Sequence, residues 1–151
     1  MSPRRVFVLL AVGSLLAACS GSTSSASTAS DGTISATLKE WQISLSSTTV
    51  AAGPITFKIT NNGDKEHEFV VRKTDLKADS LPKNADGEIS EDAPELTEVG
   101  DPSEAAEIKP GSSDTTLAVT LQPGHYVIFC NLHVEDLLHY EKGMHTDLTV
   151  N

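Results

Sequence analysis

Residues 123–150 read Pro123-Gly-His-Tyr-Val-Ile-Phe-Cys130-Asn-Leu-His133-Val-Glu-Asp-Leu-Leu-His139-Tyr-Glu-Lys-Gly-Met144-His-Thr-Asp-Leu-Thr-Val150. Gln122-Pro123-Gly124 is a turn signal, because proline presets one backbone angle and glycine tolerates the next. Tyr126–Phe129 follows, dense in the β-branched and aromatic side chains that suit a pleated strand. Leu148-Thr-Val150 reads as the strand that closes the chain. Between the two lies a loop carrying a thiol, imidazoles and a thioether.

Working outward, the same strand grammar recurs. Ile34-Ser-Ala-Thr-Leu38, Trp41-Gln-Ile-Ser-Leu45, Ile55-Thr-Phe-Lys-Ile59 and Thr115–Leu121 alternate apolar with polar, the period of a half-buried strand. Ala52-Gly53-Pro54 and Asn61-Asn62-Gly63-Asp64 are turns, the second leading into His67-Glu-Phe-Val-Val71. Short strands with regular turns and almost no helical period argue for an all-β sandwich. Residues 74–113 depart from this pattern. They are rich in Asp, Glu, Pro and Gly, and read as one long acidic excursion with a short helical turn around Asp75–Asp79. Loops of this length often carry function. No internal repeat is present.

The chemistry gathers near the C-terminus. Cys130, His139 and Met144 stand at the spacing C-x8-H-x4-M, and His67 lies upstream, just after the Asn-Asn-Gly-Asp turn. Taken singly, Cys130 reads as a small buried hydrophobe, Met144 as core filler and His67 as a surface histidine near a turn. Taken together, two imidazoles, a thiolate and a weak thioether describe a blue-copper electron-transfer site. Soft sulfur favours Cu(I), imidazole suits both oxidation states, and a site acceptable to both lets an electron pass with little rearrangement.

With Asn61-Asn-Gly-Asp-Lys-Glu-His67, Pro123–Cys130 and His139-Tyr-Glu-Lys-Gly-Met144 in view, the chain resembles the cupredoxins, the type 1 copper proteins. Its ligand loop is most similar to that of copper-containing nitrite reductases and related small bacterial cupredoxins. The resemblance spans nearly all of residues 34–151. It implies a Greek-key β-sandwich of about eight strands with one copper near one end, held by His67, Cys130, His139 and Met144. His133 is an alternative ligand, since C-x2-H is also a copper spacing. Two points favour His139: it keeps the family's His-to-Met spacing, and Gly143 precedes the Met. His125 and His145 read as surface positions. Glu68 stands where several family members carry Asn, which opens the question of what hydrogen-bonds the thiolate. Trp41 reads as core packing, and Tyr140 as a residue lining the edge where electrons enter.

The N-terminus reads as an export signal: Arg4 and Arg5 precede an apolar run that ends in Leu16-Ala17-Ala18-Cys19. That ending resembles the bacterial lipoprotein box, which implies cleavage after residue 18 and lipidation of Cys19, and leaves Cys130 without a disulfide partner. Residues 19–33, rich in Ser, Thr and Gly, read as a flexible tether with a reach of roughly 20 Å. The domains expected are therefore a signal peptide at 1–18, a tether at 19–33 and a cupredoxin domain at 34–151. Loss of Arg4 and Arg5 takes the 11 basic residues to 9 against 21 acidic, a formal charge of −12. Such acidity argues against nucleic acid, and against an anionic membrane face bound through basic residues. It suits either a merely solvated surface or a redox partner with a cationic docking patch.

The function expected is a monomeric one-electron carrier in the bacterial cell envelope, lipid-anchored on the periplasmic side or the outer face of the cell membrane, and not an enzyme. Two alternatives stand beside it. A copper-handling protein would use similar ligands, though with more Met than Met1 and Met144 supply. A red-copper redox enzyme would put a carboxylate in the place of the axial thioether.

Overall fold

The structure, a computed structural model, describes residues 32–102 and 104–151. The expected signal peptide, Cys19 and nearly all of the expected tether lie outside these residues. Thr33, assigned to the tether on sequence, already begins the first strand.

Strand β1 (Thr33–Lys39) pairs in parallel with β4 (Gly53–Asn61) and antiparallel with β2 (Gln42–Leu45). With β8 (Thr115–Leu121) they form a sheet in the order β2-β1-β4-β8. The second sheet contains β3 (Thr49–Val50), β5 (His67–Lys73), β6 (Thr97–Glu98), β7 (Glu104–Ile108), β9 (Gly124–Phe129) and β12 (His145–Val150). Its order is β3-β12-β9-β5-β6, with β7 also paired to β5. A small hairpin, β10 (His133–Val134) with β11 (Leu137–Leu138), stands apart from both sheets.

The alternation expected from sequence appears as burial. In β1, Ile34, Ala36 and Leu38 turn inward; in β4, Ile55, Phe57 and Ile59; in β8, Leu117, Val119 and Leu121. Phe69, Val71, Tyr126, Ile128 and Leu148 meet them from the second sheet, and the Phe57 and Phe69 rings lie 5.1 Å apart between centroids. Each of the Val, Leu, Ile and Phe side chains among these contributes about 1.5–3 kcal/mol by leaving water. The fold is the β-sandwich expected from the sequence.

Strands β5 and β9 do not alternate. Phe69–Arg72 and Tyr126–Phe129 are buried without a break, as strands covered on both faces must be. The cover on the outer face is the acidic excursion, whose Ala78, Leu81, Ile89 and Leu96 form a second cluster with Val70, Val127, Phe129 and Tyr140. The excursion also supplies β6 and β7, two strands with no alternating signal. The helical turn expected around Asp75–Asp79 is instead a single hydrogen-bonded turn, in which Ser80 N–H donates to the Lys77 carbonyl at 3.0 Å. Thr74 caps the approach by accepting from Leu76 N–H at 3.1 Å, an arrangement that competes with helix. Among the described residues, no helix is long and apolar enough to cross a membrane.

Candidate metal centre

The sandwich brings three of the four residues named on sequence to one point. His67, Cys130 and His139 are all buried, and their ligating atoms lie within 4.8 Å of one another. His139 Nδ1 is 3.3 Å from His67 Nδ1 and 3.3 Å from Cys130 Sγ. Met144 is fully buried in the same core cluster as Cys130, and its backbone carbonyl accepts from Cys130 N–H at 3.0 Å.

Each residue is placed by its local chain. His67 opens β5 after a turn folded around the buried Asn61 side chain. Asn61 Nδ2 donates to the carbonyls of Lys65 and Ile108 at 2.7 and 2.8 Å, and its Oδ1 accepts from Gly63 N–H at 3.0 Å. Cys130 follows β9 directly, so the strand that packs the core delivers the thiol. His139 N–H donates to the Leu132 carbonyl at 3.0 Å, and the hairpin β10–β11 fills the intervening residues. Glu135 and Asp136 both have positive φ at its two-residue turn, the conformation tight hairpins favour. The long C-x8-H spacing is thus a hairpin inserted between two ligand positions. A 3₁₀ turn at Tyr140–Lys142 and Gly143 at φ 102° then carry the chain back to Met144.

His133 is not among the converging atoms. It sits in β10, exposed, with Nδ1 3.3 Å from a Glu88 carboxylate oxygen. His125 bridges the Thr74 carbonyl and Asp147 on the far part of β9, each at 2.8 Å, and His145 packs its ring on Tyr140. Tyr140 is not an exposed edge residue. Its hydroxyl donates to the Ala78 carbonyl at 2.6 Å and accepts from Leu81 N–H at 3.1 Å, which staples the ligand loop to the excursion. Asn131 makes a second staple, bonding both the N–H and the carbonyl of Ile89. Trp41 packs at the margin of the core, with its ring centroid 4.8 Å from that of His139. The sequence had pointed to both aromatics without revealing what they touch.

The electrostatics favour neutral, lone-pair-bearing imidazoles. Burial, then the neighbouring His67, pulls His139 down to about 4; burial also lowers His67, although Glu40 opposes that shift. Burial pushes the Cys130 thiol up to about 12, against the pull of backbone N–H groups. One of these is Glu68 N–H, which donates to Sγ at 3.3 Å. The thiolate partner at residue 68 is therefore the main chain, whatever the side chain. The Glu68 carboxyl, raised to about 7 by burial and then by Glu91 and Glu104, turns toward a cluster in which buried Arg72 holds Glu91 at 2.5 Å.

Two observations test whether a metal ion suits this group. Donors that share one ion at bonds of about 2.0–2.3 Å stand roughly 3.3–3.8 Å apart, which matches the two contacts at His139 Nδ1. The other ring nitrogen of His67, the buried Nε2, faces Glu40 Oε1 at 3.3 Å, as expected where Nδ1 is the ligating atom and Nε2 carries the proton. Two imidazoles and a thiolate are the donors that copper prefers.

The comparisons agree. The family model for the cupredoxin-like domain matches residues 9–139. Auracyanin from the photosynthetic bacterium Roseiflexus castenholzii superposes with a TM-score of 0.54 at 23% identity, covering 80% of this chain and 98% of its own. Auracyanin B gives 0.51 at 19%, covering 79% and 88%. Auracyanin A, a "blue" copper protein from Chloroflexus aurantiacus, gives 0.50 at 20%, covering 80% and 100%. No curated protein sequence matches the chain. Cupredoxin-fold proteins bind one copper, and His67, Cys130 and His139 are a group that could hold it. The chain belongs to the cupredoxins.

Proposed function

We propose that the protein is a one-electron carrier outside the cytoplasm, held near the membrane by a lipid on Cys19, with a type 1 copper bound by His67, Cys130, His139 and Met144. The observation that carries this reading is the convergence of two Nδ1 atoms and one Sγ in a buried, rigidly braced pocket. Copper bound there cycles between Cu(II) and Cu(I). The protein's own part is to present a donor set that need not rearrange. The bonds of Asn61, Leu132 and Met144 to neighbouring main chain and the Tyr140 staple hold the donors in place.

His139 is the ligand nearest a surface. Its ring borders a shallow recess of about 60 Å³ that also takes in Trp41, Val134 and Leu137. Val134 is the one exposed large hydrophobic among the described residues, at 44%. An apolar rim beside one ligand, on a strongly acidic protein, suits a small, short-lived contact with a redox partner carrying a cationic patch. The protein is a monomeric carrier rather than an enzyme. The burial of His67 and His139 supports that reading.

The test is protein-film voltammetry of the copper-loaded protein. One reversible electron per chain, with no catalytic current on adding candidate small substrates, supports the carrier. An irreversible wave, or ready loss of copper to a chelator in both oxidation states, contradicts it and favours copper handling.

A further inference from the structure

The two residues joining β1 to β2, Glu40 and Trp41, touch both imidazoles of the centre. Trp41 lies edge-on to His139, and Glu40 faces His67. Glu40 is itself held. Its Oε1 accepts from Lys65 N–H at 2.7 Å, and a Cβ on Gly63 would come within 2.3 Å of the same oxygen. Glycine at 63 therefore leaves the space the carboxylate occupies. A carboxylate oxygen thus stands 3.3 Å from a buried ring nitrogen that has no other polar partner among the described residues.

We propose that Glu40 is the positioning residue for His67: it keeps the ring proton on Nε2, leaves Nδ1 as the bare lone pair facing Cys130 and His139, and favours the oxidised ion by its charge. Neutral imidazole has two tautomers, and only one presents Nδ1 as a ligand. The other donors do not make that choice. The two Nδ1 atoms, 3.3 Å apart, can hydrogen-bond with the proton on either ring. A carboxylate beside Nε2 makes that choice before metal arrives, and a carboxylate behind a ligating histidine also raises its basicity. The part concerning the oxidised ion rests on the copper reading above; the tautomer part does not.

The experiment compares wild type with Glu40→Gln, Gly63→Ala and, as a charge-matched control on the same turn, the exposed Asp64→Asn. Nitrogen-15 NMR of the metal-free proteins should show His67 protonated at Nε2 in wild type and in Asp64→Asn. In Glu40→Gln it should show mixed tautomers, with the Nε2 proton exchanging at least about tenfold faster. Gly63→Ala, which keeps the charge but displaces the carboxylate, should show the same mixture. In the copper-loaded proteins, Glu40→Gln should shift the Cu(II)/Cu(I) equilibrium about tenfold toward Cu(I), or about 59 mV for one electron. Asp64→Asn should shift it less than about threefold, because an exposed charge is screened. An Nε2 proton equally placed and equally protected in wild type, Glu40→Gln and Gly63→Ala overturns the proposal. So does a potential that moves no more in Glu40→Gln than in the control. A protein that takes no copper at Cys130 defeats the proposed function instead, and the metal-free tautomers still decide the role of Glu40.

Discussion

Strands β5 and β9 are buried on both faces, and the two covers differ in kind. The inner face meets the opposing sheet, where Phe69, Val71, Ile128 and Leu148 pack with Phe57, Ile59 and Leu121. The outer face meets an acidic loop that contributes Ala78, Leu81, Ile89 and Leu96 at irregular intervals. Cys130 and Met144 belong to the inner cluster, whereas Tyr140 belongs to the outer one. The ligand loop is therefore gripped from two sides. One grip delivers donor atoms, and the other holds the loop that carries them.

The sharpest way to separate the two is to truncate a phenylalanine on each face. Phe69 and Phe129 are both fully buried, so replacing either by alanine leaves a cavity and should cost about 3–5 kcal/mol. The Phe69→Ala cost should lie at the upper end, because two sheets cannot close on the gap. Phe129→Ala should cost at least about 1 kcal/mol less, because the excursion can settle inward. Urea unfolding of the metal-free proteins measures both. Equal costs would mean that the excursion is as rigid a cover as a sheet.

Tyr140→Phe tests the outer grip alone. Removing the hydroxyl leaves the Ala78 carbonyl and Leu81 N–H without partners, which should cost about 1–3 kcal/mol. Hydrogen exchange should quicken across residues 78–81 while the amides of β4 and β8 stay protected. Uniform loss of protection would merge the two grips into one cooperative unit.

The contrast between the covers also explains what the sequence revealed. Inner strands such as Ile55-Thr-Phe-Lys-Ile59 show their burial through a period of two, and β1, β4 and β8 lie where that period puts them. The outer cover has no period. Its apolar residues are spaced by turns, and β6 and β7 form because an edge of β5 is available, so only the finished sheet reveals them. The converging group was legible because Cys130 and His139 share one loop. The hairpin that creates their spacing was not, since Val134-Glu-Asp-Leu137 carries no glycine to mark a tight turn. Glu40 was missed for a related reason: it is distant in sequence from every ligand, and only the turn around Asn61 brings His67 beside it.

A smaller effect concerns protons. With the Cys130 thiol raised to about 12 and His139 lowered to about 4, the metal-free pocket at pH 7 holds one proton that copper must displace. His67, also lowered, adds none. Copper binding should release close to one proton per chain at neutral pH, and apparent affinity should rise about tenfold per pH unit. Below about pH 4, protonation of His139 should steepen this dependence. Calorimetry in buffers of different ionisation enthalpy counts the protons. A count near zero would place a thiolate in the metal-free protein, and a count of two would place a charged imidazole there.

The assignment of the centre itself is tested most directly by the visible spectrum of the protein loaded with Cu(II). An intense thiolate-to-copper absorption is expected in wild type and in His133→Ala, and its loss is expected in His139→Ala and Cys130→Ser. Colour that survives His139→Ala but vanishes in His133→Ala, or a wild-type protein that binds copper without colour, would contradict the centre described above.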